Sequence, residues 1–212
     1  MIDYFVRGGP VMYPLLFCSI VALTVIIERS LFWILEDMHR NQALVDRVMD
    51  LCRVGDWNAV RERVKGSGDY VIRILVSGIL HREFSMVKAM EAAAAVEMQR
   101  MRRHLAALDT MITVTPLLGI FGTVTGIVRA FEVLGDATIA IHHPEAVTAG
   151  LAEALITTVA GLAIAIPSVC FFNYFSSRVE KAATTIERYA TNLEILYEKL
   201  CQGTMPWEGG NP

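Results

Sequence analysis

Glu153 is the residue whose surroundings most suggest chemistry. It stands just ahead of residues 154–177, a run without a single Asp, Glu, Lys or Arg. Thr157, four residues on, falls on its helical face, and Thr158 lies beside that. A second charge-free run, residues 110–128, carries Thr115 and Thr123. Hydroxyls relay hydrogen bonds and hold water without the cost of a buried charge. They do not titrate in a useful range, however, so a proton path along Thr123 and Thr158 needs a carboxylate or water chain supplied from elsewhere, a deficit that points toward a partner. Two readings of Glu153 stand: a carboxylate lining a polar path with Thr157 and Thr158, or a solvated helix-start carboxylate near an interface. A charge at mid-bilayer costs about 2.5–3.5 kcal/mol, and less near the edge.

The other constellations exclude more than they suggest. His142-His143-Pro144 offers two adjacent imidazoles with no third ligand, and Cys18, Cys52, Cys170 and Cys201 stand far apart with no CxxC pair. No metal site, disulfide framework or other cofactor is expected. Gly119-Ile-Phe-Gly-Thr-Val-Thr-Gly126 is glycine-rich but lacks the lysine of a phosphate-cradling loop, which argues against ATPase chemistry and against an enzyme generally. A net charge of −3 argues against nucleic acid. The chain has 212 residues, 54% hydrophobic and 19% charged, which rules out disorder. Its mean hydropathy is +0.44.

The apolar residues are concentrated in three blocks. About 20 apolar residues cover a hydrocarbon core of ~30 Å, and residues 10–27 (resuming at 31–35), 110–128 and 154–177 all meet that length. The first block follows Asp3 and lacks a small-residue cleavage site, so it reads as an uncleaved transmembrane helix. Twelve Lys and Arg lie between Asp37 and Met111, from Arg40 to Arg103; none lies between Glu132 and Gly150, and four follow Ser177. The positive-inside rule then places the N-terminus and the second loop outside, and the middle segment and C-terminus in the cytoplasm. The expected fold is an all-α membrane protein with three transmembrane helices, two of them extended far into the cytoplasm. The expected segments are 1–9 outside, 10–35 first span, 36–108 cytoplasmic, 109–131 second span, 132–148 outer loop, 149–177 third span and 178–212 cytoplasmic helix and tail.

The elements that position the threonines are long helices with small-residue faces. Gly119, Gly122, Gly126 and Ala130 recur at spacings of three and four, as do Gly150, Ala154, Thr157, Gly161 and Ala165. Small residues let membrane helices pack closely, here against each other or against copies from neighbouring subunits. Pro116 and Pro167 each remove a backbone hydrogen bond within a span and are expected to kink it. Val87, Met90, Ala94, Met98, Met101, Leu105 and Leu108 form an amphipathic stripe with no Gly or Pro before the second block. One continuous helix over 85–131, about 70 Å long, is expected. A similar face runs from Val179 to Leu200, ending in a disordered tail at Gly203, Pro206, Gly209 and Gly210. Glu28-Arg29, where the first span meets the cytoplasm, reads as an interfacial anchor or a local ion pair.

Thr115-Pro-Leu-Leu-Gly-Ile-Phe-Gly-Thr-Val-Thr-Gly126 resembles the second-span signature of the ExbB/TolQ/MotA proton-channel family. The stretch from Gly150 through Glu153, Thr157, Thr158 and Gly161 to Pro167 resembles its third-span signature, and Gly9-Pro-Val-Met-Tyr-Pro14 leading to Ile27-Glu28-Arg29 its first span. Three spans favour the ExbB/TolQ branch, ExbB-like, over the flagellar branch. The resemblance implies a homo-pentamer in the bacterial inner membrane, multi-pass, with the N-terminus periplasmic and the C-terminus cytoplasmic. Its second and third spans would line a central pore. It implies a dimer of a one-span ExbD- or TolR-like partner inside that pore, supplying a protonatable aspartate. It further implies H+ as the transported ion and a TonB-like or TolA-like transducer that delivers work to the envelope. By motif, Thr123 and Thr158 correspond to pore threonines, Glu153 to the third-span glutamate and Asn173 to a polar position at the inner end. A short N-terminal segment departs from the family's longer examples. A TolQ-like role and a non-conducting membrane scaffold remain the alternatives.

Overall fold

The computed structural model describes Phe5 and residues 7–64, 66–135 and 144–201. His142, His143 and the glycine- and proline-bearing tail beyond Cys201 lie outside the described residues. Among the described residues there are helices and no strand. In chain order they are α1 (Met12–His39), α2 (Gln42–Val54), α3 (Trp57–Arg63), α4 (Tyr70–Leu80), α5 (Arg82–Arg102), α6 (Leu105–Gly135) and α7 (Pro144–Cys201). Three stretches are long and apolar enough to cross a membrane: Met12–His39, Arg82–Gly135 and Val147–Cys201. This is an all-α membrane protein. Helix reaches into both ends of the segment expected as the outer loop, with α6 running to Gly135 and α7 starting at Pro144.

The expected unbroken helix over 85–131 is interrupted. α5 ends at Arg102, Arg103 is extended (φ −53°, ψ 137°), and α6 begins at Leu105. Between them His104 adopts φ +63°, the left-handed region that L side chains rarely occupy. No glycine or proline marks the break. Its imidazole Nδ1 lies 3.3 Å from a Glu28 carboxylate oxygen. A contact to a residue 76 positions earlier therefore accompanies the turn, and a local pattern cannot reveal it. Pro116 and Pro167 both lie inside helices that continue through them.

The chain divides into two compact units. The first comprises Met1–Ser30 and His104–Ser176. Its α1 buries Leu15, Cys18, Ala22 and Val25 along one face, with Val11 just ahead of it also buried, while Tyr13, Phe17, Ile20, Leu23 and Ile27 stay exposed on the other. α6 and α7 likewise expose Leu117, Phe121, Val124, Leu155, Val159 and Ile166. Apolar exposure on this scale suits hydrocarbon as the surrounding solvent. Glu28 and Arg29 form the local ion pair, Arg29 Nε donating to the Glu28 carboxylate at 2.6 Å.

The second unit comprises Leu31–Arg103 and Ser177–Pro212. Its short helices start at side-chain caps: Asn41 accepts from the Leu44 amide, Asp56 from Ala59 and Asp69 from Val71, each satisfying an otherwise orphan N–H. Gly55 (φ +74°) ends α2 in the left-handed conformation that glycine adopts without strain. Val45, Val48, Cys52, Val60, Leu75, Met90, Ile186 and Leu193 form a conventional apolar core. Asp69, fully buried, also accepts from Arg40 Nη1 at 2.9 Å and from the Asn41 amide at 3.0 Å. Glu36 is 6% exposed, with Arg100 and Arg73 guanidiniums at 3.6 and 3.7 Å. Burial pushes the Cys52 thiol up to about 12.

Candidate functional site

In the first unit the small-residue faces of α6 and α7 meet each other within one chain. A Cβ added to Gly161 would stand 2.6 Å from the Thr115 carbonyl oxygen, and one added to Gly126 would stand 2.8 Å from that of Gly150. At Gly119 it would reach the Thr157 oxygen at 3.1 Å, and at Gly122 it would run into the Thr157 side chain. Backbones this close leave no room for a methyl group, which is why the seam is built from glycine, alanine and threonine. Thr115 and Thr157 are fully buried in it.

The hydroxyls are satisfied by main-chain carbonyls. Thr157 Oγ1 has the carbonyls of Ala154, Glu153 and Gly119 in reach at 2.9, 3.2 and 3.5 Å. Thr158 Oγ1 donates across the seam to the Gly119 carbonyl at 3.1 Å. Thr115 Oγ1 donates to Met111 at 2.8 Å, and Ser168 Oγ to Ile164 at 2.7 Å, one residue after Pro167. Thr123 is half-exposed and bonds to the Ile120 carbonyl of its own helix. Asn173 is exposed on α7. The structure thus joins Thr157 and Thr158 through Gly119. No hydrogen bond links Thr123 or Asn173 to them or to Glu153 among the described residues.

Glu153 is 13% exposed and paired. Arg129 Nη1 donates to both its carboxylate oxygens, at 2.7 and 3.0 Å. Sequence reasoning passed over Arg129, which stands one residue beyond the second charge-free run. The signal was present: between residues 104 and 177 it is the sole Lys or Arg. His104 was missed too, because nothing local distinguishes it. Among the described residues, no three His, Cys, Asp or Glu side chains gather as a metal site. Between Asp109 and Arg129 on α6, and between Glu153 and Arg178 on α7, no residue is Asp, Glu, His, Lys or Arg.

Similarity to known proteins agrees with this geometry. The sequence model of the MotA/TolQ/ExbB proton channel family matches residues 71–188, which include the whole seam from Thr115 to Gly161. A putative biopolymer transport protein ExbB-like 3 of Synechocystis sp. is 32% identical over 198 residues, 91% of this chain and 92% of that protein. ExbB-like 1 of the same organism is 36% identical over 206 residues, covering 94% and 80%. The Tol-Pal system protein TolQ of Pseudomonas aeruginosa is 36% identical over 116 residues, covering 54% and 49%. With a seam of small residues and hydroxyls between two apolar helices, and with relatives aligned over nearly the full chain, this protein belongs to the MotA/TolQ/ExbB proton channel family, on its ExbB/TolQ branch.

Proposed function

We infer that the chain is the proton-channel subunit of an ExbB–ExbD-like motor in a bacterial inner membrane. Such a motor couples proton flow to work on the cell envelope, such as TonB-dependent uptake across the outer membrane. The observation that carries this is the chemistry of the seam helices: close packing and hydroxyls, with no carboxylate or imidazole along either apolar run. A proton carrier must then come from outside the chain, and a one-span partner bearing a membrane aspartate supplies it. Five copies around two partner helices are the arrangement this reading takes, with the N-terminus periplasmic and the C-terminus cytoplasmic. Thr123 and Thr158 are the hydroxyls assigned to the proton path, with Asn173 at the inner end. Thr157, enclosed in the chain's own seam, holds α6 against α7. The exposed apolar residues of α1, α6 and α7 face lipid, neighbouring subunits and the partner.

A TolQ-like role in envelope integrity is the second reading, because TolQ of Haemophilus influenzae is 41% identical over 57% of this chain. The test is co-purification from membranes with the product of the adjacent gene, with subunits counted by native mass spectrometry. Five copies retaining two of a one-span, aspartate-bearing protein support the motor. A stable assembly lacking such a protein favours a non-conducting scaffold. Thr123→Ala with Thr158→Ala should then keep that assembly but abolish energised work. Unchanged work would remove both threonines from the path.

A further inference from the structure

The pair at the outer end of the seam points beyond packing. The outermost close approaches between α6 and α7 set Gly126 and Ala130 against Gly150, and Gly126 against Ala154. Arg129 directly precedes Ala130 and Glu153 directly precedes Ala154, so the ion pair flanks this outer end of the seam. Both carboxylate oxygens of Glu153 are taken by Arg129 Nη1, at 2.7 and 3.0 Å. Gly9, ahead of α1, covers the same carboxylate from another side. Its φ is +66°, and any Cβ there would fall on the Glu153 side chain. Arg129 is the sole Lys or Arg between residues 104 and 177.

We propose that Arg129 is the positioning residue of a fixed charge clamp that locks the outer ends of α6 and α7. Within the proton-channel reading on which this rests, Glu153 serves as Arg129's counter-ion and does not carry the transported proton. A guanidinium on both oxygens gives the carboxylate a fixed partner, and ionisable groups at membrane depth persist by such pairing. Removing one partner strands the other, whereas replacing both by neutral groups is often tolerated. A proton carrier behaves in the opposite way: its neutral replacement is inactive whatever its neighbour.

The experiment uses the full chain co-purified with its one-span partner, reconstituted in liposomes. Proton entry is followed with a trapped pH-sensitive dye under an imposed potassium-diffusion potential. Arg129→Gln and Glu153→Gln should each lower flux about tenfold or more, and the double variant should recover to within about twofold of the unsubstituted protein. Arg129→Lys should keep most of the flux. A double variant that assembles with the normal subunit count yet is as inactive as Glu153→Gln would overturn the clamp, as would single variants with full flux. Infrared difference spectra at neutral pH provide a readout that does not depend on conduction. Arg129→Gln should show a protonated-carboxyl band that the unsubstituted protein lacks and that Glu153→Gln, added to it, removes. If the unsubstituted protein passes no protons, the channel reading falls while the band still decides the clamp. A Glu153-dependent protonated band in the unsubstituted protein overturns it.

Discussion

The two units solve the same packing problem in opposite ways. In the first, the apolar side chains are largely on the outside and the contacts inside are backbone against backbone, as at Gly126 with Gly150 and Gly161 with Thr115. In the second, Val45, Leu75 and Leu193 are inside and the polar groups are organised into caps and ion pairs around Asp69 and Glu36. Burying a leucine gains little where the surroundings are themselves hydrocarbon, so helices there associate by close approach and sparse hydrogen bonds. Facing water, the same leucine is what holds a short helix in place.

Substitutions that invert the two schemes test this difference. The largest effect is expected at Asp69→Ala, which strands Arg40 and removes the cap of α4. A loss of about 3–5 kcal/mol is expected for breaking such a pair, read by thermal unfolding in nanodiscs. Gly161→Val adds bulk where the first unit has no space, at a cost of about 3 kcal/mol, the upper end for overpacking. A valine there that leaves the melting temperature unchanged would mean α6 and α7 are not seated on each other. Thr158→Ala removes one cross-seam hydrogen bond, worth about 0.6 kcal/mol in a membrane protein, so its effect on stability should be slight while its effect on energised work is large. Cys52, with its thiol pushed up to about 12, should resist alkylation in the folded protein and label only on unfolding.

What the amino-acid order determined alone is whatever depends on composition and spacing along one helix. Three charge-free runs long enough for a bilayer, the small-residue stripes of Gly119, Gly122 and Gly126, and the lack of a carboxylate along either facing run are all properties of a local window. The tertiary structure decided what depends on which elements meet. The two stripes could have faced neighbouring subunits, and the structure seats them on each other. Thr157 was one of several hydroxyls on its face, and the approach of Gly119 and Gly122 encloses it. The helix expected to run unbroken through residue 104 turns at a histidine whose ring reaches Glu28, and Glu153 is matched to an arginine 24 residues earlier. Helical periodicity reports how a segment is buried, because side chains three and four apart share a face. It carries no information on the distant residue that completes an ion pair or holds a left-handed turn, since those energies exist only once the chain has brought the partners within reach.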